Sequence, residues 1–411
     1  MLKIPASFKN NGEDYVTIPT IKNFINKHNI NIKGPKLRED CFNKIIEFGN
    51  QNDEQAEIVL QWIDGVVQEG IKDIQLIHAP LSEKIKLLAS NETKFKKYLE
   101  NHISTTTKKH ICQNDYTSEF TLVNIFFADS KVGKKIVFIF CKKLYCHDSK
   151  LKLTKIIDYP VIAEYYLQKE WLLVKAKPKS GLYVYTRESF NIEVNDSTTT
   201  DKEITFISKK VADILCVEEV DAKQENKKLK RKIFMLLDKY TSTPQEIDVD
   251  MEEGKDVINE ISERILGFCK DDKCIVPLET IKDVQDDIKN IVEKYLSINW
   301  KDKSIFTKDR EAFPVKLSAT DEEESKVEQT AGAQEPLQTK ALFFDNKKML
   351  YKSKSCDGIV FRWRRIEPLV GQSELFTVKI STTKGKCTFK FTEYTNKEDI
   401  ENVIFSIIGV E

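Results

Sequence analysis

The chain lacks any long hydrophobic run. Its longest strongly apolar stretch lies near Ile136–Cys141, which is far shorter than the roughly 20 residues that a membrane-spanning helix needs. The opening residues, MLKIPASFKNNGEDY, also lack the apolar core of a secretory signal peptide. We therefore expect a cytoplasmic location and no membrane partner.

The chain also lacks a net charge, because 65 Lys and Arg residues balance 65 Asp and Glu residues. Proteins that bind nucleic acid without sequence preference are usually basic overall. A nucleic-acid-binding role would therefore depend on local basic patches. The nine cysteines are an odd number spread over 411 residues, which fits a reducing cytosol better than a disulfide framework.

Familiar enzyme motifs are absent as well. The sequence contains no G-x4-GK[ST], GxGxxG, HExxH or GxSxG pattern. Its five histidines lie far apart, with no spacing typical of a catalytic triad. We therefore favour a binding protein over an enzyme, and we expect no cofactor.

The pattern of apolar residues predicts a multidomain α+β protein. Helical periodicity near the N-terminus gives way to short and alternating apolar runs at about residue 119, and it returns at about residue 203. We expect five units: a helical N-terminal module (1–105), a mainly antiparallel β domain (106–200), a helical connector domain (201–317), an acidic linker (318–340) and a small α+β domain (341–411).

Local signals add detail to these units. The linker prediction depends on SATDEEESKVEQTAGAQEPLQTK, which is acidic and free of aromatic residues. We expect strands at ALFF, DGIVFRWRR, LFTVKIST and CTFKFTEY in the last unit. Thr20 is the predicted cap of an early helix, and Thr395 with Glu398 is the predicted capping box of a closing helix.

Residues 18–48, IPTIKNFINKHNINIKGPKLREDCFNKIIEF, predict two short helices around a polar turn at Gly34-Pro35. This segment resembles the SAP and helix-extended-loop-helix family of small nucleic-acid-binding modules. The residues that carry the resemblance are Ile21, Phe24, Ile25, Ile30, Gly34, Lys36, Phe42 and Ile45.

The resemblance implies that Lys33, Lys36 and Arg38, near the start of the second helix, contact phosphate. Pro35 and a longer spacing between the glycine and the second helix depart from the family pattern. The alternative is a plain helical hairpin without a ligand.

Two further basic segments are candidates for nucleic-acid binding. In the run KKLKRK the candidates are Lys228, Lys230 and Arg231, and the alternative is a solvated helix start. In the run RWRR they are Arg362, Arg364 and Arg365, which flank Trp363. Arginine and tryptophan together suit phosphate contact and base stacking, and the alternative is a sheet edge with solvated arginines.

The C-terminal unit also offers a nuclease-like arrangement. Nucleases of the PD-(D/E)xK type use two carboxylates to hold Mg²⁺ and a lysine to stabilise developing charge. Asp357 and Lys379 occupy comparable strand positions, and Glu374 is the nearest second carboxylate. A metal-dependent nuclease with a degenerate site at these three residues is therefore an alternative function.

A structural zinc site is the remaining chemical candidate. His110, Cys112, Cys141 and Cys146 have spacings that could supply four ligands if two strands are neighbours. Cys269 and Cys274 form a similar pair. The alternative is that Cys141, which follows an apolar run, is a buried core thiol.

These observations favour a nucleic-acid-associated binding or assembly component of a multiprotein system. DNA or RNA would bind through local basic patches, and we also expect a protein partner. The richness in Lys, Ile and Asn and the modular layout suggest a bacterial antiviral defence system or a mobile element. A scaffold or sensor that binds only protein is the other alternative.

Overall fold

The computed structural model of the protein describes residues 2–9, 15–31, 37–103, 108–148, 153–186, 196–269, 278–320, 326–332, 335–369 and 371–409. Within these ranges the helices are α1 (Ala6–Lys9), α2 (Ile18–Lys27), α3 (Arg38–Gly49), α4 (Asp53–Val66), α5 (Glu83–Ala89), α6 (Glu92–His102), α7 (Thr200–Ile214), α8 (Ala222–Tyr240), α9 (Gln245–Glu253), α10 (Lys255–Cys269), α11 (Leu278–Asn299), α12 (Ala341–Ser353) and α13 (Lys397–Ile408).

The strands found in the same ranges are β1 (Lys72–His78), β2 (Thr121–Ser130), β3 (Gly133–Asp148), β4 (Leu153–Tyr166), β5 (Trp171–Ala176), β6 (Leu182–Val184), β7 (Ser197–Thr198), β8 (Ala312–Thr320), β9 (Lys326–Thr330), β10 (Gly358–Arg364), β11 (Leu375–Thr383) and β12 (Lys386–Phe391). The α+β class predicted from the sequence is confirmed. Among the described helices, none is long and apolar enough to cross a membrane.

These strands form one 12-stranded antiparallel sheet in the order β7-β6-β3-β4-β5-β1-β12-β11-β10-β8-β9, with β2 beside β3. Each of the five units predicted from the sequence contributes at least one strand to this sheet. The predicted multidomain layout is therefore not confirmed.

Strand β1 joins the two halves of the sheet. It pairs with β5 on one side, where Asp73 lies opposite Ala176, and with β12 on the other, where Lys72 lies opposite Phe391. We call β1–β7 the first half and β8–β12 the second half. The β1 side chains Ile74 and Leu76 are fully buried, as expected for a strand in the middle of a sheet.

Helices cover both faces of the first half. Along β3, Val137 and Ile139 pack in one core with α1–α4, whereas Phe138 and Phe140 pack in another with α5–α7. Successive strand residues point to opposite faces, so a strand covered on both sides reads as the continuous apolar run seen at IVFIFC.

Helices α8, α12 and α13 contribute to the core on one face of the second half. There, Phe361, Val378 and Phe389 pack in one core with these helices. The intervening residues are polar, and most of them are exposed or half-buried. This alternation of apolar and polar residues is typical of an antiparallel sheet with one solvated face.

Some local predictions differ from the structure. ALFF begins α12 rather than forming a strand, because Phe343, Phe344 and Leu350 of this helix are buried together in the core. A short apolar run does not distinguish a strand from a buried helix.

The two predicted helix caps are each shifted. Thr17 is the N-cap of α2, and Thr20 is its partner in the capping box. Asn396 is the N-cap of α13, and its side chain accepts a hydrogen bond from the Asp399 backbone at 2.7 Å. The predicted capping-box pair of Thr395 and Glu398 is therefore replaced by a cap one residue later.

The segment predicted as an acidic linker contains regular structure. It includes the end of β8 and all of β9. These two strands are paired, with Leu317 of β8 opposite Gln329 of β9. Leu337, further along, is fully buried in the core. The acidic residues obscured the alternating pattern of KVEQT, which fits an edge strand.

Candidate functional site

The polar face of the second half is a sheet surface rich in lysine and arginine. We call it the open face. Its side chains alternate with the core residues of β8–β12, and they are Lys316, Ser318, Thr320, Lys326, Glu328, Thr330, Val360, Arg362, Arg364, Thr377, Lys379, Ser381, Thr383, Lys386, Thr388 and Lys390.

Cationic side chains outnumber acidic ones on this face. Its strands carry seven lysines and arginines but one carboxylate, that of Glu328. Five further carboxylates lie at its borders, on Asp73, Asp201, Asp357, Glu374 and Glu393. The strands of the face therefore carry an excess of positive charge, which these neighbouring carboxylates partly offset.

A groove of about 480 Å³ lies at the end of the open face where β10 begins. Asp357 lies in this groove, where Lys230 Nζ is 2.5 Å from Asp357 Oδ1 and Thr320 Oγ1 donates a hydrogen bond of 2.6 Å to Asp357 Oδ2. Both carboxylate oxygens are thus engaged within the protein. Lys379 lines the same groove.

Electrostatic coupling connects the lysines of this groove. The hydrogen bond from Lys326 to Glu328 lowers the pKa of the Glu328 carboxyl, and the nearby charges of Lys316 and Lys379 lower it further. All four of these side chains line the same groove. Glu328 balances only one of these three positive charges.

The rest of the open face is partly ordered by ion pairs. Arg362 donates hydrogen bonds to Thr377 Oγ1 at 2.7 Å and to Glu393 Oε1 at 3.2 Å. Lys390 Nζ lies 4.0 Å from Asp73 Oδ2. Burial lowers the pKa of the Lys386 ammonium; the nearby Asp201 carboxylate opposes this effect, and Lys209 and Lys384 add to it.

The structure does not bring the nuclease candidates together. Asp357 precedes Gly358, which pairs with Ser381, whereas Glu374 lies at the other end of the same strand pair, where Arg364 is opposite Leu375. Glu374 is thus eight residue positions from Asp357 along the ladder, which at about 3.4 Å per residue separates the two residues by roughly 27 Å. Asp357, Glu374 and Lys379 therefore do not form a two-carboxylate metal site.

The zinc candidates are also separated. Cys141 and Cys146 are five residues apart on β3, so their side chains point to opposite faces, and Cys112 packs with Cys141 in one core. His110 instead contacts Asp64 Oδ2 at 2.7 Å and Glu57 Oε2 at 3.0 Å. No group of three or more potential metal ligands occurs in the described part of the chain, and Cys274 lies outside it.

The predicted nucleic-acid-binding residues are divided among several places. Arg362, Arg364 and Lys230 lie on the open face or in its groove. Arg365 is buried beside Asp399, 3.5 Å away, and its Nε donates to the Ser373 carbonyl. The structure thus assigns Arg365 a role in the core.

The other two basic candidates on α8 lie outside the groove. Lys228 pairs with Glu225 at 2.6 Å, and Arg231 is exposed. These two side chains therefore do not belong to the open face.

The helices of the SAP-like segment are present as α2 and α3, but the turn with Lys33 and Lys36 lies outside the described residues. Arg38 donates a hydrogen bond of 2.6 Å to the Val16 carbonyl. Apolar residues that carried the resemblance, such as Phe24 and Phe42, pack in the core that α1–α4 form against the sheet.

Sequence reasoning missed Lys316, Lys326, Lys386 and Lys390. The signal was present in the strict alternation of KLSAT, KVEQT and KCTFK, which places lysines and hydroxyl residues on one face of each strand. What could not be predicted is that these strands are neighbours with their lysines on one surface.

Comparisons with protein-family models, curated proteins and solved structures gave no match for this chain.

Proposed function

We propose that the protein binds nucleic acid through the open face. The observation that carries this proposal is the group of lysines and arginines, most of them exposed, on one sheet surface in a chain with no net charge. Lysine and arginine side chains that neutralise phosphates supply most of the affinity in sequence-independent binding. The hydroxyl groups between them can donate further hydrogen bonds to phosphate oxygens.

The chemistry of the open face favours contact with the phosphate backbone rather than with bases. Phe313, which lies opposite Arg362 on this face, is only 4% exposed, and Trp363, which the sequence suggested for stacking, points into the core with 1% exposure. Without a stacking platform, the face lacks the usual means of holding unpaired bases. Binding should therefore depend weakly on sequence and strongly on salt.

Fluorescence anisotropy with duplex DNA, single-stranded DNA and RNA tests the proposal. If all seven cations contact phosphates of duplex DNA, log K should fall against log salt with a slope of about −6. The double substitution Lys316→Gln/Lys379→Gln should weaken binding to every probe and make the slope shallower by about 2, because each lysine releases about one counterion.

The matched control is Lys96→Gln/Lys97→Gln on α6, which removes two exposed lysines away from the open face. The control should leave binding unchanged. Equal losses in both double variants would point to non-specific attraction. The absence of binding to all three probes at about 50 mM salt would refute the proposal, since binding of this kind is strongest at low salt.

A role in bacterial antiviral defence or in a mobile element stays a prediction, because it depends on composition and layout rather than on the open face. An assembly partner is proposed on the same terms.

A further inference from the structure

Helix α10 exposes a stripe of large apolar side chains. Val257, Ile261, Ile265 and Phe268 are 59%, 40%, 38% and 89% exposed, respectively. Their spacing of four, four and three residues places them on one side of the helix. We call these four residues the α10 stripe.

The stripe is additional to the surface through which α10 packs on α11. Ile258, Ser262 and Leu266 are the buried residues of α10, and α10 contacts α11. The stripe lies beside this buried surface. The apolar surface of α10 is therefore wider than its packing on α11 requires, and the exposed part is available for a partner.

The stripe is self-complementary under a two-fold axis between residues 262 and 263. In an antiparallel pair of α10 helices, Val257 would lie opposite Phe268 of the second copy, and Ile261 would lie opposite Ile265. For each pair, the point midway between the two residue numbers lies within half a residue of the axis. Half a residue corresponds to less than about 1 Å along a helix, so both pairs fit the same axis.

Charges beside the stripe have the same symmetry. Glu260 and Arg264 lie on one flank of the stripe, where they form an ion pair of 2.6 Å within the helix. Around the same axis, Glu260 of one copy lies opposite Arg264 of the other. Opposite charges at flanking positions favour this antiparallel register.

We propose that α10 pairs in an antiparallel arrangement with α10 of a second copy of this chain. The contact is isologous, since the same surface is used by both copies. The stripe is about 16 Å long, which is less than a standard interface requires. A reversible dimer with a dissociation constant on the order of micromolar is therefore expected. This proposal does not depend on the open face or on nucleic acid.

Charge exchange provides the sharpest test. Glu260→Arg alone and Arg264→Glu alone each place like charges opposite one another, so each variant should sediment as a monomer in analytical ultracentrifugation at about 10 μM, near the expected dissociation constant. An equal mixture of the two variants restores both attractive pairs, and it should form a heterodimer. The double variant Glu260→Arg/Arg264→Glu should dimerise like the original chain.

A second substitution tests the apolar contact. Ile261→Asp should shift the protein to monomer, whereas Leu87→Asp, at a side chain 74% exposed on α5, should not. An original chain that is monomeric up to about 100 μM, or dimers that persist in both single charge variants, would overturn the proposal. The charge substitutions are on exposed side chains, so they remain informative if Ile261→Asp fails to fold.

Discussion

At the residue scale, the most unusual feature is a buried ion network beneath α13. Glu164 on β4 is 2.6 Å from Lys135 Nζ and 2.5 Å from Lys175 Nζ, and all three side chains are about 1–2% exposed. Lys135 also contacts Glu401 of α13 at 2.7 Å. The network therefore ties β3, β4 and β5 to a helix from the end of the chain.

Opposing effects set the pKa of Glu164. Burial by itself would raise the pKa of this carboxyl, but the adjacent ammonium groups of Lys175 and Lys135 outweigh burial and hold the pKa well below its usual value of 4.5. A carboxyl whose pKa is lowered by folding contributes stability above its unfolded pKa. This contribution is lost as the pH falls below 4.5 towards the folded pKa.

We expect Glu164→Gln to lower the free energy of unfolding by about 3–5 kcal/mol at pH 7, because it removes the carboxylate paired with the buried Lys175 ammonium and leaves Lys135 with Glu401 alone. Urea denaturation measures this difference. The difference should shrink as the pH falls below 4.5, where the original carboxyl begins to lose its advantage. Glu100→Gln, at an exposed position on α6, is the control and should change stability little. A constant difference over the whole pH range would contradict this account.

At the element scale, hydrogen bonding at the start of α13 decides how the last helix is positioned. Asn396 Oδ1 accepts from the Asp399 backbone at 2.7 Å, and Glu398 is exposed. We expect Asn396→Ala to lower the free energy of unfolding by about 1 kcal/mol, the usual cost of losing such a cap. Glu398→Gln should cost less, as measured by the same denaturation experiment. A larger effect from Glu398 would support the capping box that the sequence suggested.

The elements also show how far the sequence could be read. Alternation and apolar runs correctly predicted three of the four strands expected in the last unit, β10, β11 and β12, because a residue's face depends only on its near neighbours. The pairing of β1 with β12 could not be predicted, since no local pattern encodes a contact across about 300 residues.

The open face shows the same limit. Its lysines were visible in the alternating strands, but their grouping depends on the order β9-β8-β10-β11-β12 and on which face α8 covers. Arg362 and Lys379 were identified from the sequence for different reasons, and the structure places both on this one surface. The single sheet shared by all five predicted units could not be foreseen for the same reason, because composition reports local polarity and not the continuity of a sheet.

At the scale of the whole molecule, a continuous sheet predicts cooperative unfolding. Trp171 lies on β5 in the first half and Trp363 on β10 in the second half, and both are buried in the same core. Variants that keep only one of these tryptophans, with Phe at the other tryptophan positions, should give the same denaturant midpoint by fluorescence. Two separated midpoints would instead support independent domains, because a two-state unit gives coincident transitions with every probe.

Strand β1 has a consequence for how the protein is made. On a ribosome that adds about 5–20 residues per second, β12 emerges roughly 15–60 s after β1. During that interval β1 can pair with β5, but its other edge has no strand to bond with. An unpaired edge is a site where nascent chains join one another wrongly. The time needed for synthesis thus sets how long this edge of β1 stays open to wrong pairing.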